Sequence, residues 1–380
     1  MKISQLDIKA QHANIRDELV KAMTEVIDST QYIMGPQVAE LEKQVAQYVG
    51  AKHGIGVASG TDALLVALMA LGVEPDDIVV TTPYSFFATA GVVSRLNARP
   101  VFADIDRDSY NLDPEATRKV IASLPAADRK RVKAILPVHL YGQAADMGPL
   151  MEVAKEFGAE VIEDGAQAIG AGYDLNGKSV KVGSMGLAGC FSFFPSKNLG
   201  GLGDGGMVTC NDDAFADQVR ILRVHGAKPK YYHSFIGGNF RLDTLQAAAL
   251  LVKLPHLNSW HAGRQAHAAY YDEKLAGIPG LKTPSISYKR AYHIYNQYII
   301  STQNRDQLME FLASKDISTA IYYPVSFHEQ PCFQYLGYKK GDFPNSEFAA
   351  NTTLALPIYP ELTTAQLDYV IAAIREFTHV

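Results

Sequence analysis

Three short segments of this 380-residue chain carry residue types that could do chemistry together. The run Gly189-Cys-Phe-Ser192-Phe-Phe-Pro-Ser196-Lys197-Asn198-Leu-Gly-Gly sets one lysine between an aromatic, strand-like stretch and a glycine-rich loop. In a tight pocket, desolvation disfavours the ammonium and favours the neutral, imine-forming amine. On an open surface the same lysine would do nothing. The run Glu160-Val-Ile-Glu-Asp164-Gly165-Ala-Gln167 delivers Asp164 to the end of an apolar strand. A carboxylate there costs desolvation unless a cation or hydrogen-bond donors meet it; capping a following helix is the plainer use. Ser59-Gly60-Thr61-Asp62 opens the helical stretch ALLVALMAL. Its small residues leave the first helical amides free, with Ser59 or Thr61 as cap, and such an end suits phosphate. A capped helix without a ligand explains those four residues equally well.

Taken together, the three segments meet the needs of one cofactor, pyridoxal phosphate. It requires an amine for its aldehyde, a carboxylate that keeps its ring nitrogen protonated, and an anion seat for its phosphate. Lys197, Asp164 and Thr61 supply one of each. An aromatic face for the ring is available in Tyr84-Ser85-Phe86-Phe87, where Phe86 is the choice. Gln167, three residues past Asp164, would point the same way on a helix start.

Two motif matches fail on context. Gly172-Tyr-Asp-Leu-Asn-Gly-Lys-Ser179 fits the P-loop pattern, but VKVGSMGLAG after it makes a poor helix and Asn176-Gly177 signals a hairpin turn. Gly201-Leu-Gly-Asp-Gly-Gly206 fits GxGxxG, yet the run MVTCND that follows reads as a strand, whereas the dinucleotide fingerprint requires a helix.

The elements that must position these residues alternate. Apolar runs (GIGVASG, DDIVVTTP, ARPVFADI, VKAILPVHLYG, AEVIEDGAQ) are separated by helix-period segments, as crossover units around a largely parallel sheet would be. Ligands of such sheets sit beyond the carboxyl ends of the strands. From Leu242 to Gly277 a long helical stretch, broken at Pro255, would join two bodies. A strand at Gln297–Ser301 and helices at Arg305–Lys315 and Thr364–Phe377 follow, as in a smaller α+β domain. The expected division is residues 1–250, a large cofactor-binding domain with an N-terminal segment, and 251–380, an interdomain helix and small C-terminal domain.

Composition excludes several classes. With 35 basic against 40 acidic residues and a net charge of -5, no basic footprint for nucleic acid is present. No apolar run reaches the ~18 residues of a membrane span, and MKISQLDIKAQ lacks a signal-peptide core. Three scattered cysteines (Cys190, Cys210, Cys332) indicate neither a disulfide framework nor a zinc cluster. A cytoplasmic enzyme without a metal is the expectation.

The motifs SGTDAL, PYSFFATA, ADIDRDSYNLDP, VHLYGQAADM, VIEDGAQAIGA, FSFFPSKNLGGLGDGG and GGNFRLDTLQAAAL run in order through nearly the whole chain. In these the sequence resembles the DegT/DnrJ/EryC1/StrS family of sugar aminotransferases. The resemblance implies the type I, aspartate-aminotransferase-like fold, α/β, with a seven-stranded, mostly parallel sheet in the large domain. It also implies a homodimer with active sites at the subunit interface. By motif, Lys197 takes the cofactor as an imine and Asp164 pairs with the ring nitrogen. Phe86 stacks on the ring, Gln167 approaches its hydroxyl face, and Gly60, Thr61 and Ser192 take the phosphate. Asn239 reaches the phosphate from the neighbouring subunit, while Tyr323 and His328, in IYYPVSFHEQP, fall where relatives contact substrate. Ser196 stands where threonine is frequent, and Gly165 where cysteine or alanine is common; neither departure is expected to matter.

The resemblance further implies that an amino donor, glutamate by the family pattern, displaces Lys197. The freed amine then moves a proton in each half-reaction, first from donor and later to a keto sugar. Relatives that dehydrate sugars carry histidine at the lysine position, against which Lys197 speaks. An idle scaffold or regulator would have little reason to keep lysine, carboxylate and phosphate seat together. Amino-acid aminotransferases typically grip a carboxylate with an arginine in the small domain; past Arg305 the chain has only Arg375, in its last helix. The opening segment, with DSTQYIMGPQVAELEKQVAQYVGAKH, is similar to members that aminate C3 of a nucleotide-linked hexose. A UDP- or dTDP-linked 3-keto sugar for surface polysaccharide or lipid A is therefore expected, with a 4-keto sugar as runner-up.

Overall fold

The computed structural model describes residues 1–286 and 292–379. Its strands, in chain order, are β1 (His53–Val57), β2 (Ile78–Thr81), β3 (Arg99–Phe102), β4 (Val132–Leu136), β5 (Glu160–Asp164) and β6 (Gly172–Leu175). They continue with β7 (Lys178–Lys181), β8 (Ala188–Ser192), β9 (Gly206–Cys210), β10 (Leu281–Lys282), β11 (Tyr298–Thr302) and β12 (Thr353–Leu356).

Seven strands form one sheet in the order β1-β9-β8-β5-β4-β2-β3. Only β9 runs against its neighbours; β8, β5, β4, β2 and β3 are parallel. Apolar residues along these strands face alternate sides. Ile78, Val80, Ile135 and Val161 join one buried cluster with Leu41 and Leu150, while Val79, Leu136 and Ile162 join another with Leu64 and Val92. Helices cover both faces, which is why the strands read as continuous apolar runs rather than alternating ones. The fold is α/β, with a seven-stranded, mostly parallel sheet as expected from the sequence.

The smaller sheet, β10-β11-β12, is antiparallel. It packs with the helices Arg305–Ser314 and Thr364–Thr378 around Leu308, Leu312, Val370 and Ile374. The N-terminus closes this body: Ile3 is fully buried there and bridges Ile317 in parallel.

The long helical stretch breaks where the sequence indicates. Thr244–Lys253 and Leu257–Leu275 are joined by a 3-10 turn, Leu254–His256, around Pro255, which has no N–H to continue the ladder. The P-loop match is a hairpin: β6 pairs antiparallel with β7, and Asn176 and Gly177 have φ of 54° and 80°. Two left-handed residues in a row are what a two-residue type I′ turn requires. After the second glycine-rich match the chain enters β9 and not a helix.

Candidate active site

The carboxyl ends of β5, β8 and β1 bring the three segments to one edge of the sheet. Asp164 ends β5, Ser192 ends β8, and Val57 ends β1 just before Ser59. Because β9 runs backwards, its first residue, Gly206, lies between Val57 and Ser192. This edge is packed close. A Cβ on Gly206 would lie 2.4 Å from the Ser59 carbonyl oxygen, and one on Gly60 2.6 Å from Ser192 Cβ.

Ser59 caps the helix Gly60–Leu71 by accepting from the Asp62 amide at 3.0 Å. The amides of Gly60 and Thr61, ahead of the first intrahelical bond, are left open at its positive end. Ser192 sits against Gly60, its hydroxyl accepting from the Phe194 amide at 3.3 Å. Two backbone donors, a hydroxyl and a helix dipole thus converge where a phosphate would be held.

Asp164 is 4% exposed. Its Oδ2 accepts from the Thr89 hydroxyl at 2.8 Å and its Oδ1 from the Ala166 amide at 3.1 Å. Thr89 has one proton to give, so Ser85 Oγ, 2.9 Å away, must donate to Thr89. Burial raises the Asp164 pKa; the Thr89 and Ala166 bonds and the charge of Lys197 oppose the rise without cancelling it. A buried carboxylate that its neighbours leave under-compensated fits a protonated ring nitrogen.

Lys197 is half-buried, its amide donating to Phe194 O at 2.8 Å. Among the described residues its amine has no hydrogen-bond partner. Burial lowers its pKa to about 8, against the opposing pull of Asp164. Roughly a tenth of such amines are neutral at pH 7, against well under a thousandth for an ordinary lysine. Amine, carboxylate and anion seat, all at one edge, match the donor set that pyridoxal phosphate needs.

Phe86 precedes the helix Ala88–Arg95 that carries Thr89; its ring is 56% exposed and 6.2 Å from that of Tyr323. Gln167 lies in a run of turns and not on a helix start, because Asp164 Oδ1 takes the Ala166 amide and Ala168 N bonds back to Gly165 O. Its amide still spans the site: Oε1 accepts from Tyr141 N at 2.7 Å and Nε2 donates to the Tyr323 hydroxyl at 3.1 Å. Tyr323 follows the Tyr322 carbonyl, on which the Tyr84 and Tyr141 hydroxyls converge. His328 is turned inward, with Nε2 3.0 Å from Glu347 Oε1 and its ring 4.8 Å from that of Phe343. Asn239 is exposed beside Phe240, whose carbonyl accepts from Ala58. No bond joins its side chain to Lys197, Ser192, Gly60 or Thr61 among the described residues.

One small departure matters more than the sequence suggested. A Cβ on Gly165 would lie 2.8 Å from the Phe191 ring and 3.1 Å from Val182, so an alanine or cysteine there would force the Phe191 ring to move.

Sequence reading missed a second buried carboxylate. Glu163, fully buried, accepts from the amides of Gly183, Met185 and Gly186, each at 2.8 Å, and meets His139 Nε2 at 3.0 Å. Since His139 Nδ1 accepts from Ala145 N, the proton is on Nε2. The signal was available: VIED has two acids side by side, and alternate residues of a strand face opposite ways.

Comparison with known proteins decides the family. Residues 13–375 match the DegT/DnrJ/EryC1/StrS aminotransferase family. The chain belongs to this family. It is accordingly a pyridoxal-phosphate-dependent sugar aminotransferase. It is 48% identical, over 99% of both chains, to the "pleiotropic regulatory protein" of Geobacillus stearothermophilus. To the UDP-N-acetyl-3-dehydro-α-D-glucosamine 3-aminotransferase of Acidithiobacillus ferrooxidans it is 41% identical, over 99% of this chain and 98% of that one. The crystal structure of S. venezuelae DesV in complex with a ketimine intermediate superposes with a TM-score of 0.94 at 38% identity, covering 100% of this chain and 99% of that one. No helix among the described residues is long and apolar enough to cross a membrane, and no metal-binding cluster occurs among them.

Proposed function

We propose that this enzyme moves an amino group from an amino acid, L-glutamate, to C3 of a UDP- or dTDP-linked 3-keto hexose in the cytoplasm. The product would serve a surface polysaccharide or lipid A precursor. The observation that carries the chemistry is the meeting of Lys197, Asp164 and the Gly60–Thr61 amides at one sheet edge. The likeness to a UDP-sugar 3-aminotransferase supports the substrate class.

In this reading the cofactor, when bound, supplies an aldehyde that exchanges amines and a ring that accepts electrons. Lys197 Nζ holds it, and once displaced carries the proton in both half-reactions. An amine with its pKa near 8 can accept and release that proton close to neutral pH. Asp164, fixed by Thr89, would keep the ring nitrogen protonated and stabilise it electrostatically. Gly60, Thr61 and Ser192 would seat the phosphate, Phe86 would stack on the ring, and Gln167 would approach its hydroxyl. Tyr323, which accepts from Gln167, and His328, held by Glu347 beside Phe343, are the proposed substrate contacts.

We also take the chain to divide near residue 250 and to work as a homodimer, with Asn239 completing the partner's phosphate seat. Tyr231, Tyr232, Phe235 and Ile236, just before Asn239, are 78%, 70%, 45% and 93% exposed. An apolar cluster of that size on a single chain is what a protein interface covers.

The deciding experiment offers 3-keto and 4-keto UDP- and dTDP-sugars with glutamate and follows amine transfer by mass spectrometry. Transfer to a 4-keto sugar alone would replace the C3 reading; transfer to none would favour a role like that named for the Geobacillus relative. The cofactor lysine is tested separately: Lys197→Ala should lose borohydride-reducible cofactor, and retention would move the imine elsewhere.

A further inference from the structure

The loop that carries Lys197 is held by a buried amine with no part in the chemistry so far described. Lys253, at the end of the helix Thr244–Lys253, is 0% exposed, and its Nζ donates to the Gly200 carbonyl at 2.7 Å. Gln246, two turns earlier on the same helix, accepts from the Leu202 amide at 2.8 Å. From the other side Asn198 Nδ2 donates to Ile294 O at 3.2 Å, while its Oδ1 accepts from Asn296 Nδ2 at 2.7 Å. The loop also folds tightly onto its own stem: Gly201 N donates to Phe193 O at 2.7 Å, and a Cβ on Gly200 would lie 2.3 Å from Pro195 O.

A lysine is a costly way to satisfy one carbonyl. Burial lowers its pKa to about 8, and its charge adds to the burial that lowers the pKa of His12, whose Nε2 is itself buried without a partner among the described residues. A hydrocarbon side chain of the same length would pack there without the desolvation cost. What it could not do is hold Gly200, three residues after Lys197.

We propose that Lys253 is a positioning residue that fixes the Asn198–Gly203 loop and, through it, the direction of the Lys197 amine. The proposal rests on Lys197 being the cofactor lysine, but its test does not. Amide hydrogen exchange is measured on the full-length protein carrying Lys253→Met or Lys253→Gln. Both replacements remove the charge, and only glutamine keeps a donor. Lys253→Met should speed exchange across residues 198–203 by about tenfold, with the rest of the chain unchanged and Lys253→Gln less affected. The pH midpoint of the visible absorbance of the bound cofactor should shift in Lys253→Met more than in Lys253→Gln, a change that looser packing elsewhere would not produce. Exchange unchanged in both variants, or raised equally in both, overturns the proposal. Should neither variant fold, the unsubstituted protein decides. Exchange at 200–203 as slow as in β8 supports the clamp, and exchange as fast as at the exposed residues 231–236 overturns it.

Discussion

The hydroxyl of Thr89 donates to Asp164 Oδ2 at 2.8 Å, joining the helix behind Phe86 to the strand-end carboxylate 75 residues later. Ser85 completes the relay, so the direction of each proton is fixed: Ser85 to Thr89, Thr89 to Asp164. Thr89→Val keeps the shape and deletes one of two bonds that orient the carboxylate. A hydrogen bond to a charged group contributes about 1.5–3 kcal/mol, so kcat/KM should fall ~10- to 100-fold. Ser85→Ala, one bond removed from the acid, should lose less. Steady-state kinetics of the two variants check this, and equal losses would break the relay.

Asp164 makes stability depend on pH in a definite direction. Its folded pKa is raised, chiefly by burial, above the ordinary value of 3.8. The unfolded chain therefore releases its proton first as pH rises, and the cofactor-free fold loses stability from about pH 4 up to the folded pKa. Above that the full cost remains until a cation pairs with the carboxylate. Asp164→Asn should accordingly raise the melting temperature of cofactor-free protein at neutral pH, with the gain vanishing near pH 4. Added cofactor should stabilise the unsubstituted protein more than the variant, and turnover of Asp164→Asn should collapse. Thermal melts across pH, with and without cofactor, test the sign.

Lys197 gives the complementary case. Its folded pKa of about 8 lies below the unfolded 10.5, so the unfolded state binds more protons between those values. Cofactor-free protein should gain stability as pH rises from about 8 to 10.5, by up to about 3 kcal/mol, and Lys197→Met should abolish that gain. Chemical denaturation at several pH values measures it; a slope that survives in Lys197→Met would assign the titration to another group, Lys253 being the first candidate.

What the chain reveals unaided is what lies close in sequence. Asp164 at a strand end, the Ser59 cap, the Asn176-Gly177 turn and the break at Pro255 each depend on a few adjacent residues. Their physical causes act within a turn or two, so the letters suffice. Thr89, His139 and Lys253 act on partners 75, 24 and 53 residues away, and nothing local marks them. Gln167 shows the opposite failure. A three-residue spacing suggested a helix, but the Asp164 side chain captured the Ala166 amide and turned the chain instead. At Gly165 the limit is volume, since the Phe191 ring fills the space where a methyl group would go.

Glu163 should prove a stability residue and not a catalytic one. Its two oxygens accept three amide bonds and the His139 Nε2 proton, all buried. Glu163→Gln turns an NH2 group towards donors that need acceptors. Breaking a buried, fully bonded charge in this way costs about 3–5 kcal/mol. Urea unfolding should show that loss, while the protein that remains folded keeps its cofactor. Unchanged stability would mean that the loop 183–186 finds other acceptors.

Asn239 permits a test of shared active sites that does not depend on measuring oligomer size. If it serves the partner's phosphate seat, a Lys197→Ala chain still offers a working Asn239, and an Asn239→Ala chain still offers a working Lys197. Each homodimer is impaired at both sites. A mixed dimer assembles one site with both residues intact and one with neither. Random re-association makes half the dimers mixed, so activity should return to about a quarter of the unsubstituted level. Were Asn239 to act within its own chain, mixing would give only the average of the two parents. Ile236→Glu places a charge in the exposed apolar cluster beside Asn239, and should prevent recovery by blocking the exchange of partners. Co-expression followed by a glutamate-dependent amination assay separates these outcomes, because recovery above the parental average requires that each subunit lend a residue to the other.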